Sequence, residues 1–174
     1  LHRNLKRLIP LEVVLDILIE VASGLDYAHT IRDKGGNLAG LVHRDLKPGN
    51  VMIAQTGAVK ITDFGTAKAT TNISRTEAGF TRGTPAYMSP EQVAGDPLDN
   101  RSDLFSFGAI LHELVTLEMT FPGENMVTVM HKVLEVDIRE ARSRIVDAAP
   151  GLEPVLKRCL ARDPAGRYQT GGSI

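Results

Sequence analysis

The sequence predicts an α+β fold that is mostly helical and carries one small β patch. Residues 11–29 and most of the chain after residue 101 place apolar side chains at helical spacing. Short strand-like runs occur between residues 41 and 62, where turn-forming residues separate them. Proline and glycine pairs divide the later helical part into segments.

The composition is that of one globular domain. The chain has 174 residues, of which 43% are hydrophobic and 24% charged, so it can bury a sizeable core. Its net charge of −1 gives no reason to expect nucleic acid as a partner, and no apolar run is long enough to predict a membrane segment. The single cysteine, Cys159, leaves no pairing within these residues, and its apolar surroundings predict a small buried side chain.

The first helix is predicted at residues 11–29, directly after Pro10. Ile17 and Ile19 widen its apolar stripe, which predicts a position near the centre of the core. Residues 33–40 have turn composition and predict a surface loop. The stripe itself comprises Val14, Leu15, Leu18, Val21, Ala22 and Leu25.

Strand-like runs follow at residues 41–42, 51–53 and 59–62. Gly57 allows a tight hairpin turn between the last two, because glycine adopts positive φ without strain. Residues 66–82 are rich in Thr, Ser and Gly and predict a long loop of the kind that is usually functional or disordered. Further helices are predicted at about 101–117, 125–136 and 152–162.

Three motifs in a fixed order carry the chemistry. Residues 43–50 read HRDLKPGN, residues 63–65 read DFG, and residues 83–91 read GTPAYMSPE. An acid, a cation, an amide and a second acid at this spacing suit phosphoryl transfer from ATP to a hydroxyl. A single loop Asp is more often a turn or capping residue, but the three motifs together are specific. On these residues the chain resembles a bacterial serine/threonine protein kinase.

The resemblance implies a role for each polar residue of the first two motifs. Asp45 would accept or orient the proton of the substrate hydroxyl, and Lys47 would place a charge beside the γ-phosphate of ATP. Asn50 and Asp63 would bind Mg²⁺, for which oxygen ligands are suitable. Met52 would lie beneath the adenine ring.

The resemblance also indicates the acceptor. Lys47 at this place accompanies serine/threonine specificity in the family, and Thr84 would bond near Asp45 and Lys47. A plain loop threonine is the alternative for Thr84. The expected partner is therefore a protein substrate phosphorylated on Ser or Thr.

Other matched positions imply structural and regulatory roles. His43 and Phe64 would stack, with Asp103 as their anchor at a helix start, and Gly65 would permit the turn of the magnesium-binding loop. Met52 could equally be a core methionine, and Asp103 a carboxylate that favours the helix N-terminus.

Glu91 and Arg167 match a buried ion pair that joins the end of the loop to a late helix. Arg44 beside Asp45 suggests that a phosphate on the loop orders it and raises activity. The candidate phosphorylation sites are Ser74, Thr76 and Thr81.

The remaining histidines carry no metal motif. Residues 112–116 begin like a zinc-protease helix but lack the second histidine. His29 and His131 are interpreted as ordinary helix residues.

The matched region, residues 1–174, corresponds to the large lobe of the kinase domain. These residues contain no Gly-rich phosphate loop, no strand lysine and no glutamate partner for it. We expect a small N-terminal lobe in the full-length protein, a cytoplasmic kinase domain, and negligible activity of this chain alone. The alternatives are a kinase-derived scaffold module, which has no need to keep Asp45, Lys47, Asn50 and Asp63, and a small-molecule phosphotransferase, which would not carry the third motif.

Overall fold

The computed structural model describes residues 9–64 and 84–174, which form six α-helices and one two-stranded sheet. This helical predominance with a single hairpin confirms the predicted α+β class, and no helix among the described residues is long and apolar enough to cross a membrane. The elements are α1 Leu11–Thr30, β1 Val51–Ile53, β2 Val59–Ile61, α2 Pro90–Ala94, α3 Asn100–Thr116, α4 Met126–Glu135, α5 Arg139–Ala148 and α6 Glu153–Cys159.

Helix α1 begins after Pro10 and runs along the core, as predicted. The buried side of its stripe includes Val14, Leu18, Val21 and Leu25. The prediction for Ile19 was wrong, since its side chain is 60% exposed. Apolar residues on a helix are not all buried, because much of any protein surface is apolar.

The hairpin lies where the sequence predicts it. Strands β1 and β2 are antiparallel, with Val51 opposite Ile61, and Gly57 takes a φ of 87° in the turn. The predicted strand at residues 41–42 was wrong: this segment is irregular. The loop before it is closed by a bridge between Arg32 and Leu38. The sheet of the described residues contains only β1 and β2, so residues 41–42 have no strand partner there.

Helix α3 is the centre of the fold. Its residues from Ser102 to His112 are all buried. A Cβ atom at Gly108 would lie 2.7 Å from the Cβ of Cys159, so the close approach of α3 and α6 requires glycine there. Cys159 is buried as predicted, and burial raises the pKa of its thiol to about 12.

The later helices are shorter than predicted or were missed. Helices α4 and α6 lie within the predicted ranges 125–136 and 152–162. Helix α5 was not predicted, because only Ala141 and Ile145 of its ten residues are buried and the rest is strongly polar. Such a helix leaves little apolar periodicity in the sequence.

Candidate active site

The segment before Asp45 is held by a buried carboxylate of α3. Asp103 is 1% exposed and accepts hydrogen bonds from the backbone N–H groups of His43, at 2.8 Å, and Arg44, at 2.9 Å. His29 of α1 also contacts it, with Nε2 at 2.8 Å from Oδ2. Because an ionised carboxylate only accepts, His29 is the donor. His29 is thus part of the anchor, and its interpretation as an ordinary helix residue was wrong.

His43 connects three parts of the site. Its Nε2 lies 2.8 Å from the carbonyl oxygen of Thr62, and its Nδ1 accepts from the N–H of Asp45 at 3.2 Å. A carbonyl only accepts, so the proton is on Nε2 and the ring is the neutral tautomer. Its ring centroid is 4.6 Å from that of Phe64, at a tilt of 60°. His43 and Phe64 are therefore in contact as expected, but their rings are tilted and not stacked.

Two residues of the motifs adopt left-handed backbone. Arg44 has a φ of 69° and Asp63 a φ of 63°. This region is uncommon for residues other than glycine and costs about 1–3 kcal/mol where the surroundings impose it. Two hydrogen bonds hold the backbone of Arg44 in this conformation: its N–H donates to Asp103, and its carbonyl accepts from Nε2 of Gln92 at 2.6 Å.

Asp45, Lys47 and Asn50 form one polar cluster. Nζ of Lys47 donates to Oδ2 of Asp45 at 2.7 Å. Nδ2 of Asn50 donates to the backbone oxygen of Asp45 at 2.8 Å and reaches its Oδ2 at 3.4 Å. The Asp45 and Lys47 side chains are each about a third exposed, so the cluster is open to a ligand.

The hairpin brings Thr62, the residue before Asp63, next to Asn50. Asn50 directly precedes β1 and Asp63 follows β2, and the N–H of Thr62 donates to the carbonyl of Asn50 at 2.9 Å. The amide NH₂ of Asn50 is committed to Asp45, so its carbonyl oxygen is the atom suited to a cation. A carboxylate and an amide oxygen are hard ligands, and this donor set fits Mg²⁺.

Met52 lies on β1 with 55% of its surface exposed. Met52 is therefore not part of the core that the described residues form. An exposed, flexible thioether side chain on β1 offers an apolar surface to a flat ring.

The expected ion pair of Glu91 and Arg167 is present and buried, but Arg167 follows the short 3₁₀ turn Pro164–Gly166 instead of lying in the predicted late helix. The guanidinium donates to both carboxylate oxygens, at 2.6 and 2.9 Å, and to the carbonyls of Ala161, Arg101 and Arg162. All five of its N–H groups have partners. Burial alone would raise the pKa of Glu91, but hydrogen bonds from Arg167 and Ser102 outweigh it and hold that pKa below the ordinary value.

The third motif is fastened to α3 by side chains. Tyr87 donates from its hydroxyl to Oε2 of Glu113 at 2.5 Å, and burial with this contact raises its pKa. Oγ of Ser106 donates to the carbonyl of Tyr87 at 2.6 Å. The backbone of Thr84 opens this turn. The Thr84 side chain and the residues Gly65, Ser74, Thr76 and Thr81 lie outside what the structure describes.

Sequence reasoning missed two residues of this site, His29 and Gln92. Both act on partners far along the chain, at separations of 74 and 48 residues. The spacing of Ser89 and Gln92, typical of a capping box, was the one local signal for Gln92.

A family model described as the protein kinase domain matches residues 1–171. The chain belongs to the protein kinase family. It is 37% identical over 162 residues to a tyrosine-protein kinase, MasK, of Myxococcus xanthus, covering 93% of this chain and 25% of MasK. It is 36% identical to the serine/threonine-protein kinase PknB of Mycolicibacterium smegmatis, covering 92% of this chain and 25% of PknB.

A third relative is the serine/threonine-protein kinase PknL of Mycobacterium tuberculosis, which is 38% identical over 91% of this chain and 38% of its own length. The chain thus spans between a quarter and two fifths of the length of these curated relatives. Two of the three are named for serine and threonine, and one for tyrosine.

Proposed function

We propose that this chain is the large lobe of a serine/threonine protein kinase, which transfers the γ-phosphate of ATP to hydroxyl groups of a protein. The observation that carries the proposal is the contact of Asp45 with both Lys47 and Asn50, within 3.4 Å, next to a hairpin whose second strand is followed by Asp63. The proposed location is the cytoplasm, where ATP is available.

Each side chain has a task that its geometry supports. Asp45 holds the acceptor hydroxyl and takes its proton, because a carboxylate at neutral pH is an acceptor only. Lys47 has three N–H donors and gives one to Asp45, which leaves two for phosphate oxygens. Asn50 and Asp63 would hold the cation through oxygen atoms, and Met52 would cover the adenine. When bound, ATP would supply the phosphoryl group, and Mg²⁺ would supply the positive charge that neutralises it.

The proposal that the acceptor is Ser or Thr depends on Lys47 and on the names of two relatives. MasK carries a different acceptor in its name, so peptides that differ only in Ser, Thr or Tyr must be compared. We expect the Ser and Thr peptides to be phosphorylated faster than the Tyr peptide.

Phosphoryl transfer also needs groups that these 174 residues do not contain, namely a Gly-rich loop and a lysine for the α- and β-phosphates. Without them the triphosphate is poorly positioned, and positioning is the main catalytic contribution in this chemistry. We therefore propose that the chain alone has negligible activity and acts together with a small lobe.

The test compares two proteins: the 174-residue chain, and the same chain preceded by the small lobe of PknB of Mycolicibacterium smegmatis. We expect Mg²⁺-dependent transfer of ³²P to a protein substrate by the fused protein alone, and a rate lower by about 10²- to 10⁴-fold for its Asp45→Asn variant. Transfer by the fused protein that is unaffected by Asp45→Asn would contradict the proposal. Robust transfer by the unfused chain would contradict the need for a small lobe.

A non-catalytic binding module is the second candidate. A groove of about 710 Å³ lies beside α4, is lined by Val127, His131 and Arg139 among others, and contains no residue of the polar cluster. A partner bound there would need none of Asp45, Lys47, Asn50 and Asp63. An inactive fused protein that still captures a partner through Val127 would favour this candidate.

A further inference from the structure

The peptide group between Arg44 and Asp45 is fixed at both ends by side chains. Its carbonyl, on Arg44, accepts from Nε2 of Gln92 at 2.6 Å, and its N–H, on Asp45, donates to Nδ1 of His43 at 3.2 Å. We propose that Gln92 is a positioning residue for Asp45, and that it couples the third motif to the catalytic loop. This inference rests on the proposed kinase function.

The backbone of Arg44 gives this contact its importance. With a φ of 69°, Arg44 is held in a conformation that a non-glycine residue leaves readily unless neighbouring groups impose it. Asp103 fixes the peptide group before Arg44, and Gln92 fixes the one after it. Rotation about ψ of Arg44 would turn that second peptide group and displace the Cα of Asp45, which lies in the same peptide plane.

The orientation of Gln92 is itself determined by its surroundings. Its Oε1 accepts from the N–H of Ser89 at 2.9 Å, which leaves Nε2 directed at the carbonyl of Arg44. A donor on one side and an acceptor on the other permit only this amide orientation. In turn, the N–H of Gln92 lies 3.4 Å from Oγ of Ser89, completing a capping box at the start of α2.

The contact of Gln92 with Arg44 therefore makes the position of the catalytic loop depend on the position of the third motif. Ser89 lies shortly after the turn Thr84–Tyr87, with which the described part of the third motif begins. A shift of this segment moves Gln92, and with it the peptide group that carries Asp45. The site then depends on the placement of the third motif even where no residue of that motif contacts the substrate.

The decisive variant is Gln92→Glu. Glutamate keeps the length of the side chain and still accepts from the N–H of Ser89, but it has no N–H for the carbonyl of Arg44. It is also a favourable residue in the first turn of a helix, so the cap is preserved. In the fused protein we expect kcat to fall roughly 10- to 100-fold, with KM for ATP within about twofold.

Two control variants separate positioning from stability and from charge. Asn125→Ala removes the side-chain N-cap of α4, which takes no part in the contact of Gln92 with Arg44, so we expect a lower Tm and a kcat within about twofold of the parent. Gln55→Glu introduces the same charge at an exposed turn position and should leave both kcat and Tm unchanged.

A second measurement uses the 174-residue chain and needs no activity. We expect the amide of Asp45 to exchange with solvent roughly tenfold faster in Gln92→Glu than in the unsubstituted chain or in Asn125→Ala. If the fused protein is active and its kcat is unchanged by Gln92→Glu, the inference is overturned and the kinase proposal stands. An inactive fused protein overturns the kinase proposal, and equal exchange at Asp45 in Gln92→Glu and Asn125→Ala then overturns the positioning as well.

Discussion

Two ion pairs in this molecule have the same charges and opposite surroundings. Arg167 and Glu91 have side-chain exposures of 0% and 10%, and every N–H of the guanidinium is bound within the protein. Lys47 and Asp45 have exposures of 30% and 29% and keep donor and acceptor capacity for other molecules. The first pair is saturated and can only hold the fold together, whereas the second remains available to a ligand.

The largest effect on stability is expected from breaking the saturated pair. Arg167→Met leaves the Glu91 carboxylate buried without a counter-charge, so we expect the free energy of unfolding to fall by about 3–5 kcal/mol. Urea unfolding followed by circular dichroism measures it. Arg162→Met is the matched control, because its side chain is exposed and the change should stay within about 0.5 kcal/mol. Equal losses of stability in the two variants would mean that the Glu91–Arg167 pair contributes no more to stability than an exposed arginine does.

A smaller change in the free energy of unfolding is expected when the pH is lowered. The pKa of Glu91 is depressed in the folded protein, so its contribution to stability is present above the unfolded value of 4.5 and is lost as pH falls below it. Urea unfolding between pH 6 and pH 3 should therefore show a steeper loss of stability in the parent than in Glu91→Gln, which cannot titrate. Parallel curves for the two proteins would show that Glu91 titrates alike in the folded and unfolded chain.

The smallest effect is expected from the open pair. Asp45→Asn removes a partly exposed charge interaction, which contributes little to folding, so the free energy of unfolding should change by less than about 1 kcal/mol. The same urea titration measures this, and the kinase assay on the fused protein shows the accompanying loss of activity. A loss of several kcal/mol would place Asp45 with Glu91 among the structural residues and remove the contrast between the pairs.

Local patterns allowed a large part of the molecule to be predicted. The α1 stripe, the turn at Gly57 and the order of the three motifs are visible within short stretches of sequence. These features depend on spacing along the chain, which a single sequence displays directly.

The errors arose where distant residues decide the outcome. His29 was interpreted as an ordinary helix residue because its partner, Asp103, is 74 residues away. Ile19 was placed in the core because an apolar side chain is the same on either side of a helix, and the packing of neighbouring elements decides which side is covered. Residues 41–42 have strand composition, but a strand needs a partner.

Asp103 is the feature with the widest consequence. Its two oxygens receive the N–H groups of His43 and Arg44 and the ring of His29. Asparagine has one oxygen and would bring an NH₂ group against a donor, while glutamate is longer by a methylene on a helix whose place is fixed by packing. Position 103 therefore has no conservative replacement among the twenty amino acids. Evolution can alter the helix and the loop that it holds only by altering both at once.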